Sequence, residues 1–177
     1  MRTIKYLFII LIAVLALGSC GKIEQLSPIP HIEFTSFAIF DTVDILGNKA
    51  KGGRLKFYFE DGDGNLGLDG AQGTSVDTIK NLFFKYSYRK TAGKMVQITD
   101  TADPVKAYNY RIPFIERTGQ NKILKGTISV TFLYTFYDPK DNDTIKYDFY
   151  IKDRDDNKSN TVSTCEIPLS VNGLYEN

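Results

Sequence analysis

Apolar and polar residues alternate with a period of two along most of this 177-residue chain. In "RLKFYFE", Leu55, Phe57 and Phe59 face one way while Lys56, Tyr58 and Glu60 face the other. In "NLFFKYSYR", Leu82, Phe84, Tyr86 and Tyr88 share one parity, and in "GTISVTFLYTFY" Ile128, Val130, Phe132, Tyr134 and Phe136 do the same. In "TIKYDFYIK", Ile145, Tyr147, Phe149 and Ile151 alternate with Lys146, Asp148, Tyr150 and Lys152. This is the signature of half-buried antiparallel strands. The pattern predicts strands at about 32–40, 53–60, 81–90, 94–99, 107–114, 123–137, 144–152 and 161–171. "TAGK" at Thr91–Lys94 closes a hairpin, and "DPKDND" at Asp138–Asp143 closes another turn. Beyond the N-terminal segment no helical stripe is visible. Seven or eight such strands predict an all-β chain, a single antiparallel β-sandwich of immunoglobulin-like type, with a β-barrel as the alternative.

The N-terminus departs from this period. Arg2 and Lys5 precede an apolar run of 12 residues, Tyr6–Leu17. A bilayer span needs about 20 residues, so the run reads as a secretory leader. It ends in "LGSC", Leu17–Cys20, which resembles a bacterial lipobox. That resemblance implies cleavage before Cys20 and lipidation of Cys20, whose several acyl chains anchor far more firmly than one. Gly21 rather than Asp after the cysteine favours the outer membrane, by similarity to bacterial sorting rules. Whether the body faces the periplasm or the exterior stays open. The expected organisation is a leader over 1–19, a lipidated cysteine and polar tether over 20–31, and a β-sandwich domain over 32–177.

Composition narrows the function classes. Removing Arg2 and Lys5 with the leader leaves 20 Lys and Arg against 21 Asp and Glu. The mature net charge of −1 offers no basic excess for nucleic acid. His31 is the only histidine, so neither a histidine metal cluster nor a histidine triad can form. With Cys20 committed to lipid, Cys165 has no partner within the chain. Its parity with Ile167, Leu169 and Val171 makes it a small hydrophobe on the inner face of a strand.

Candidate chemistry sits at two strand ends. "FYFEDGDGNLG" begins at Phe57 and "FYIKDRDDNKS" at Phe149, an offset of 92 residues, and both contain F-Y-x-x-D-x-D-x-N. In the first, Asp61, Asp63, Asn65 and Asp69 fall at positions 1, 3, 5 and 9 of a calcium-loop pattern. Leu66 and Gln72 stand where an EF-hand requires Gly and Glu, so this is not an EF-hand. The second offers Asp153, Asp155, Asp156 and Asn157. In an immunoglobulin-type sandwich these loops follow strands B and F and lie at the same end. Crowded carboxylates repel unless a cation or a basic group such as Arg154 or Lys158 neutralises them. The competing reading is plain turn chemistry, because Asp, Asn and Gly favour turns for local reasons. No cofactor is required by the sequence, and Ca2+ is the candidate ion.

"LKFYFEDGDGNLGL", "YRIPFIERTGQNKILKGTISV" and "YDFYIKDRDDNKSNTVST" together resemble a group of uncharacterised lipoproteins of the Bacteroidota. In that group a strand leads into a D-G-D-G-x-[LI]-G loop, I-P-x-[IL] precedes a G-x-I strand, and a D-R-x-x-N-x-S-N loop leads into the last strand. The resemblance runs from Leu55 to Leu169 and implies an outer-membrane lipoprotein with a β-sandwich. It carries no activity. Where the group has Ala-Gly before the loop asparagine, this chain has Asp155 and Asp156.

The expected function is therefore a membrane-anchored, non-catalytic β-sandwich, a binding or structural component of the cell envelope with an envelope protein as partner. The alternative is a calcium-assisted glycan- or peptide-binding module, for which Tyr58, Phe83, Tyr137 and Tyr150 lie off the core parity. An enzyme is not expected, since no base stands beside a nucleophile.

Overall fold

A computed structural model describes residues 26–68, 79–117, 122–135 and 143–176. Its strands are β1 (His31–Val43), β2 (Lys49–Asp61), β3 (Leu82–Thr91), β4 (Lys94–Gln97), β5 (Leu124–Tyr134), β6 (Thr144–Ile151), β7 (Val162–Ser163), β8 (Ile167–Pro168) and β9 (Gly173–Tyr175). They form two antiparallel sheets ordered β5-β2-β1-β9 and β4-β3-β6-β7, with β8 also on β6. The chain is thus a β-sandwich, not a closed barrel. Strands β1, β2 and β5 stand as A, B and E against β3, β6 and β7 as C, F and G, the immunoglobulin-like arrangement. No helix among the described residues is long and apolar enough to cross a membrane.

The period-two residues build the core. Leu55, Phe57 and Phe59 of β2 face Ile145, Tyr147, Phe149 and Ile151 of β6, all buried. Phe57 meets Phe149 across the sheets at 5.3 Å between ring centroids, and Phe132 stacks on Tyr147 at 5.8 Å. The Tyr147 hydroxyl donates to Val105 O at 2.7 Å. Its proton thus committed, it accepts from the Tyr134 hydroxyl at 3.1 Å, so neither buried hydroxyl is orphaned. The Thr91–Lys94 hairpin forms as expected, with Ala92 and Gly93 both at positive φ, as a two-residue type I′ turn requires.

Several elements differ from the periodic pattern. A bulge between Phe84 and Tyr86 shifts the register of β3 on β6. An extra residue inverts the parity beyond it. Ser87 is therefore buried, while Tyr86 and Tyr88, expected inward, turn out, and the Tyr88 hydroxyl donates to Asp148. The strand expected over 107–114 is irregular. Pro113 has no N–H for a ladder, and the Asn81 side chain takes over, accepting from Ile112 N at 2.6 Å and donating to Ile112 O. The strand expected over 161–171 is split into β7 and β8, because Thr164 turns its hydroxyl to accept from Tyr147 N. β9, which sequence periodicity does not announce, pairs with β1. Cys165 is half-buried against the core, and burial pushes its thiol pKa up, as befits an inert side chain. Val171, expected to share its face, is exposed.

Candidate metal centre

β2 and β6 run the same way in facing sheets, so the segments after Asp61 and Ile151 emerge at one pole. The first is pinned by its own sequence. Leu66 is fully buried in the core and holds the loop down like a plug. Gly64 adopts φ +67°, and a Cβ there would collide with the carbonyl oxygen of Lys122. Arg154 ties the second loop to the first, its backbone N–H bonding Asn65 O at 3.3 Å and its guanidinium bonding Gly67 O while lying over the Phe114 ring.

This packing brings Asp61, Asp63 and Asp153 together, with one oxygen from each within 4.8 Å of the others. Calcium–oxygen bonds of about 2.3–2.6 Å place opposite ligands about 4.6–5.2 Å apart, so one ion can touch all three. Asp61 and Asp153 are buried and Asp63 is partly so. Asp61 Oδ2 accepts from Leu66 N at 2.8 Å, but Asp61 Oδ1 receives no donor. Asp63 Oδ1 and Asn65 Oδ1 are likewise buried without a donor. Each such buried acceptor costs roughly 1–3 kcal/mol when left unmade. All three orphans are oxygens, and a hard cation satisfies oxygens where a further acceptor cannot.

The electrostatics agree with the geometry. The Asp61 carboxyl is pushed up to about 6, first by burial, then by the hydrogen bond its protonated form makes to the Asp63 carboxylate, and by the charges of Asp63 and Asp153, against the opposing bond from Leu66 N. Among the described residues no lysine or arginine forms an ion pair with Asp61, Asp63 or Asp153. Lys158 lies 4.1 Å over the Tyr150 ring, Lys152 pairs with Asp156 at 2.7 Å, and the guanidinium groups of Arg117 and Arg154 bond the backbone oxygens of Asp63 and Gly67 rather than the three carboxylates. A donor set of oxygens without sulfur or imidazole suits calcium or magnesium and not zinc or copper.

Not every candidate ligand joins the centre. Asp155 is exposed, and its Oδ2 accepts from Asn65 Nδ2 at 2.9 Å, bridging the two loops. Asn157 turns its side chain to donate to Asp153 Oδ2 at 2.8 Å. Asp69, Cys20 and Tyr137 lie outside the described residues. His31 is exposed beside Glu33, apart from the triad. Of the off-parity aromatics described, Phe83 stacks on Tyr150 at 5.2 Å, and the Tyr58 hydroxyl bonds Glu60. Sequence reasoning missed Asn160, whose side chain bonds the Ile32 backbone in both directions, and the plug role of Leu66. Leu66 carried a signal, as an apolar residue inside a polar loop.

Fold and site together define an immunoglobulin-like sandwich with a three-carboxylate pole. No family model matches the chain, and no curated protein or solved structure matches it either.

Proposed function

We propose that the chain is a lipid-anchored, non-catalytic β-sandwich of the bacterial cell envelope whose carboxylate pole binds calcium. In this reading residues 1–19 are a leader, Cys20 carries the lipid that holds the protein at the outer membrane, 20–31 form the tether, and 32–177 form the sandwich, a binding or structural component for an envelope protein partner. The observation that carries the calcium reading is the set of buried, donorless oxygens on Asp61, Asp63 and Asn65 next to Asp153. Three carboxylates so placed repel one another, and a divalent ion converts that repulsion into attraction.

The anchor reading rests on the order of charge, apolar run and "LGSC" in the sequence. The non-catalytic reading rests on the isolation of His31 and the apolar setting of Cys165.

Calorimetric titration of calcium with parallel melting scans tests the site. A ligand of the folded state raises the melting temperature by mass action. Heat of binding and a rise in melting temperature, both lost in Asp61→Asn, are expected. No heat and no shift at millimolar calcium would sink the calcium reading. Incorporation of labelled fatty acid, lost in Cys20→Ser, tests the anchor.

A further inference from the structure

The chain enters the sandwich between the two loops that carry the carboxylates. Gly62, which separates Asp61 from Asp63, donates its N–H to Ser27 O at 3.0 Å. A Cβ on Gly62 would collide with the carbonyl oxygens of Leu26 and Ser27, so that backbone lies flush on the loop. The second loop grips the next few residues. Asn160 Oδ1 accepts from Ile32 N at 2.8 Å, and Asn160 Nδ2 donates to Ile32 O at 2.8 Å. Asn160 is itself set by Ser159, whose hydroxyl accepts from Ile151 N at 3.0 Å and donates to Asn160 O at 2.7 Å. One acidic loop thus holds residue 27 and the other holds residue 32.

We propose that this pole is a cation-gated joint: calcium bridging Asp61 and Asp63 to Asp153 locks residues 26–32, the root of the tether, onto the body, and its removal frees residues 26–30. The proposal rests on the calcium reading above. Its physical basis is that Gly62, which seats Ser27, lies between two of the ligands, while Asn160, which seats Ile32, lies on the loop of the third. Without the ion, repulsion between Asp61 and Asp63 shifts the backbone at Gly62 and loosens Ser27, and repulsion from Asp153 draws Asn160 away from Ile32, which stays paired with Phe59. Five freed residues add up to about 17 Å of reach. On an anchored protein the joint would therefore set how far the body stands from its membrane.

Amide hydrogen exchange on the mature, lipidated chain in phospholipid vesicles, with calcium or with a chelator, reads the joint, while melting temperature on the same samples reads binding. Calcium is expected to raise the melting temperature and to slow exchange at Gly62 and Ile32 by about ten-fold or more relative to Ile98, whose N–H bonds Ser87 O away from this pole. A rise in melting temperature with no selective slowing at Gly62 and Ile32 overturns the joint and leaves the cation site standing. No rise at all overturns the calcium reading and the joint with it. Asn160→Ala is expected to keep the calcium-dependent rise and lose the slowing at Ile32. Slowing that survives in a folded Asn160→Ala protein would also overturn the joint, and if that variant does not fold the wild-type comparison decides.

Discussion

The two acidic loops repeat the same pattern 92 residues apart, and their backbones match as well: Gly64 and Asp156, at the same place in the repeat, adopt φ +67° and +66°. Their polar groups are satisfied in opposite ways. In the second loop Asp153 accepts from Asp155 N, from Asn157 N and from Asn157 Nδ2, all between 2.8 and 2.9 Å. That loop closes as an aspartate turn on Asp153, the plain turn chemistry of its sequence. In the first loop Asp61 accepts a single bond among the described residues, from Leu66 N, and three oxygens stay without donors. The difference traces to the sixth position, Leu66 in one and Lys158 in the other. Leucine draws its loop into the core and carries Asp61 with it, whereas lysine stays outside on the Tyr150 ring. Both repeats bury their first aspartate and give it to the triad, but the second closes its hydrogen bonds on Asp153 while the first leaves oxygens without donors, so a shared motif does not mean a shared role.

The sharpest way to break the comparison is at that sixth position. Leu66→Ala should cost about 2–5 kcal/mol of unfolding free energy, the range for deleting a fully buried leucine, and should weaken calcium binding as Asp61 loses its seat. Lys158→Ala should stay within about 1 kcal/mol of wild type, since it removes a surface cation–π contact. Urea denaturation of both checks the ranking. Equal losses would mean that the plug does not distinguish the loops.

The next effect is on ligation. If calcium binds as proposed, at a concentration a hundred times its dissociation constant the folded state should gain about 2.7 kcal/mol. Asp61→Asn should erase that gain, while Asp155→Asn, at an exposed side chain outside the triad, should retain it. Melting scans across a calcium series separate the two, and a gain that survives Asp61→Asn would relocate the site.

Proton linkage gives an effect of similar or smaller size. An ordinary aspartate titrates near 3.8, and Asp61 near about 6, so between those values the folded state holds a proton that the unfolded chain has released. Without divalent ions, stability should therefore fall as pH rises from about 4 to about 6 and level off above, by on the order of 2–3 kcal/mol. Calcium bound as proposed would compete with that proton and should flatten the fall, and Asp61→Asn should abolish it. Denaturation midpoints across this pH range, with and without a chelator, measure the slope. A slope that persists in Asp61→Asn would assign the proton elsewhere.

Much of the fold was legible because burial writes itself into alternation. Leu55, Phe57 and Phe59, and Ile145 through Ile151, alternate in sequence and alternate in burial. The β3 parity was not legible, because a bulge is a backbone event and Lys85 carries no mark of it. Nor was the break near Thr164, where a hydroxyl competes with the ladder for a backbone N–H. At the site, the sequence named Asp61, Asp63 and Asp153 among its candidates, and immunoglobulin topology placed their loops together. What it could not show is which oxygens stay without donors, because that depends on backbone geometry: Asp155 and Asn157 fit the pattern as well as Asp63 and Asn65 do, yet they bond within or between the loops.

The smallest expected effect probes the shared left-handed residue. Asp156 bears a side chain at φ +66°, a conformation that aspartate tolerates at some cost. Asp156→Gly relieves that strain but gives the unfolded chain more freedom and removes an exposed ion pair with Lys152. These terms oppose one another, and the net change should lie within about 0.5 kcal/mol. At Gly64 they do not cancel. A methyl there meets both the strained φ and the Lys122 carbonyl, a backbone atom that cannot swing aside, so Gly64→Ala should cost about 2 kcal/mol or more. The φ values of the two sites differ by one degree, so any gap between the variants measures the closure of other backbone over the first loop. If Gly64→Ala proved as mild as Asp156→Gly, that closure would be too soft to hold Asp61 and Asp63 in place for an ion, and the contrast between the loops would have to rest on Leu66 alone.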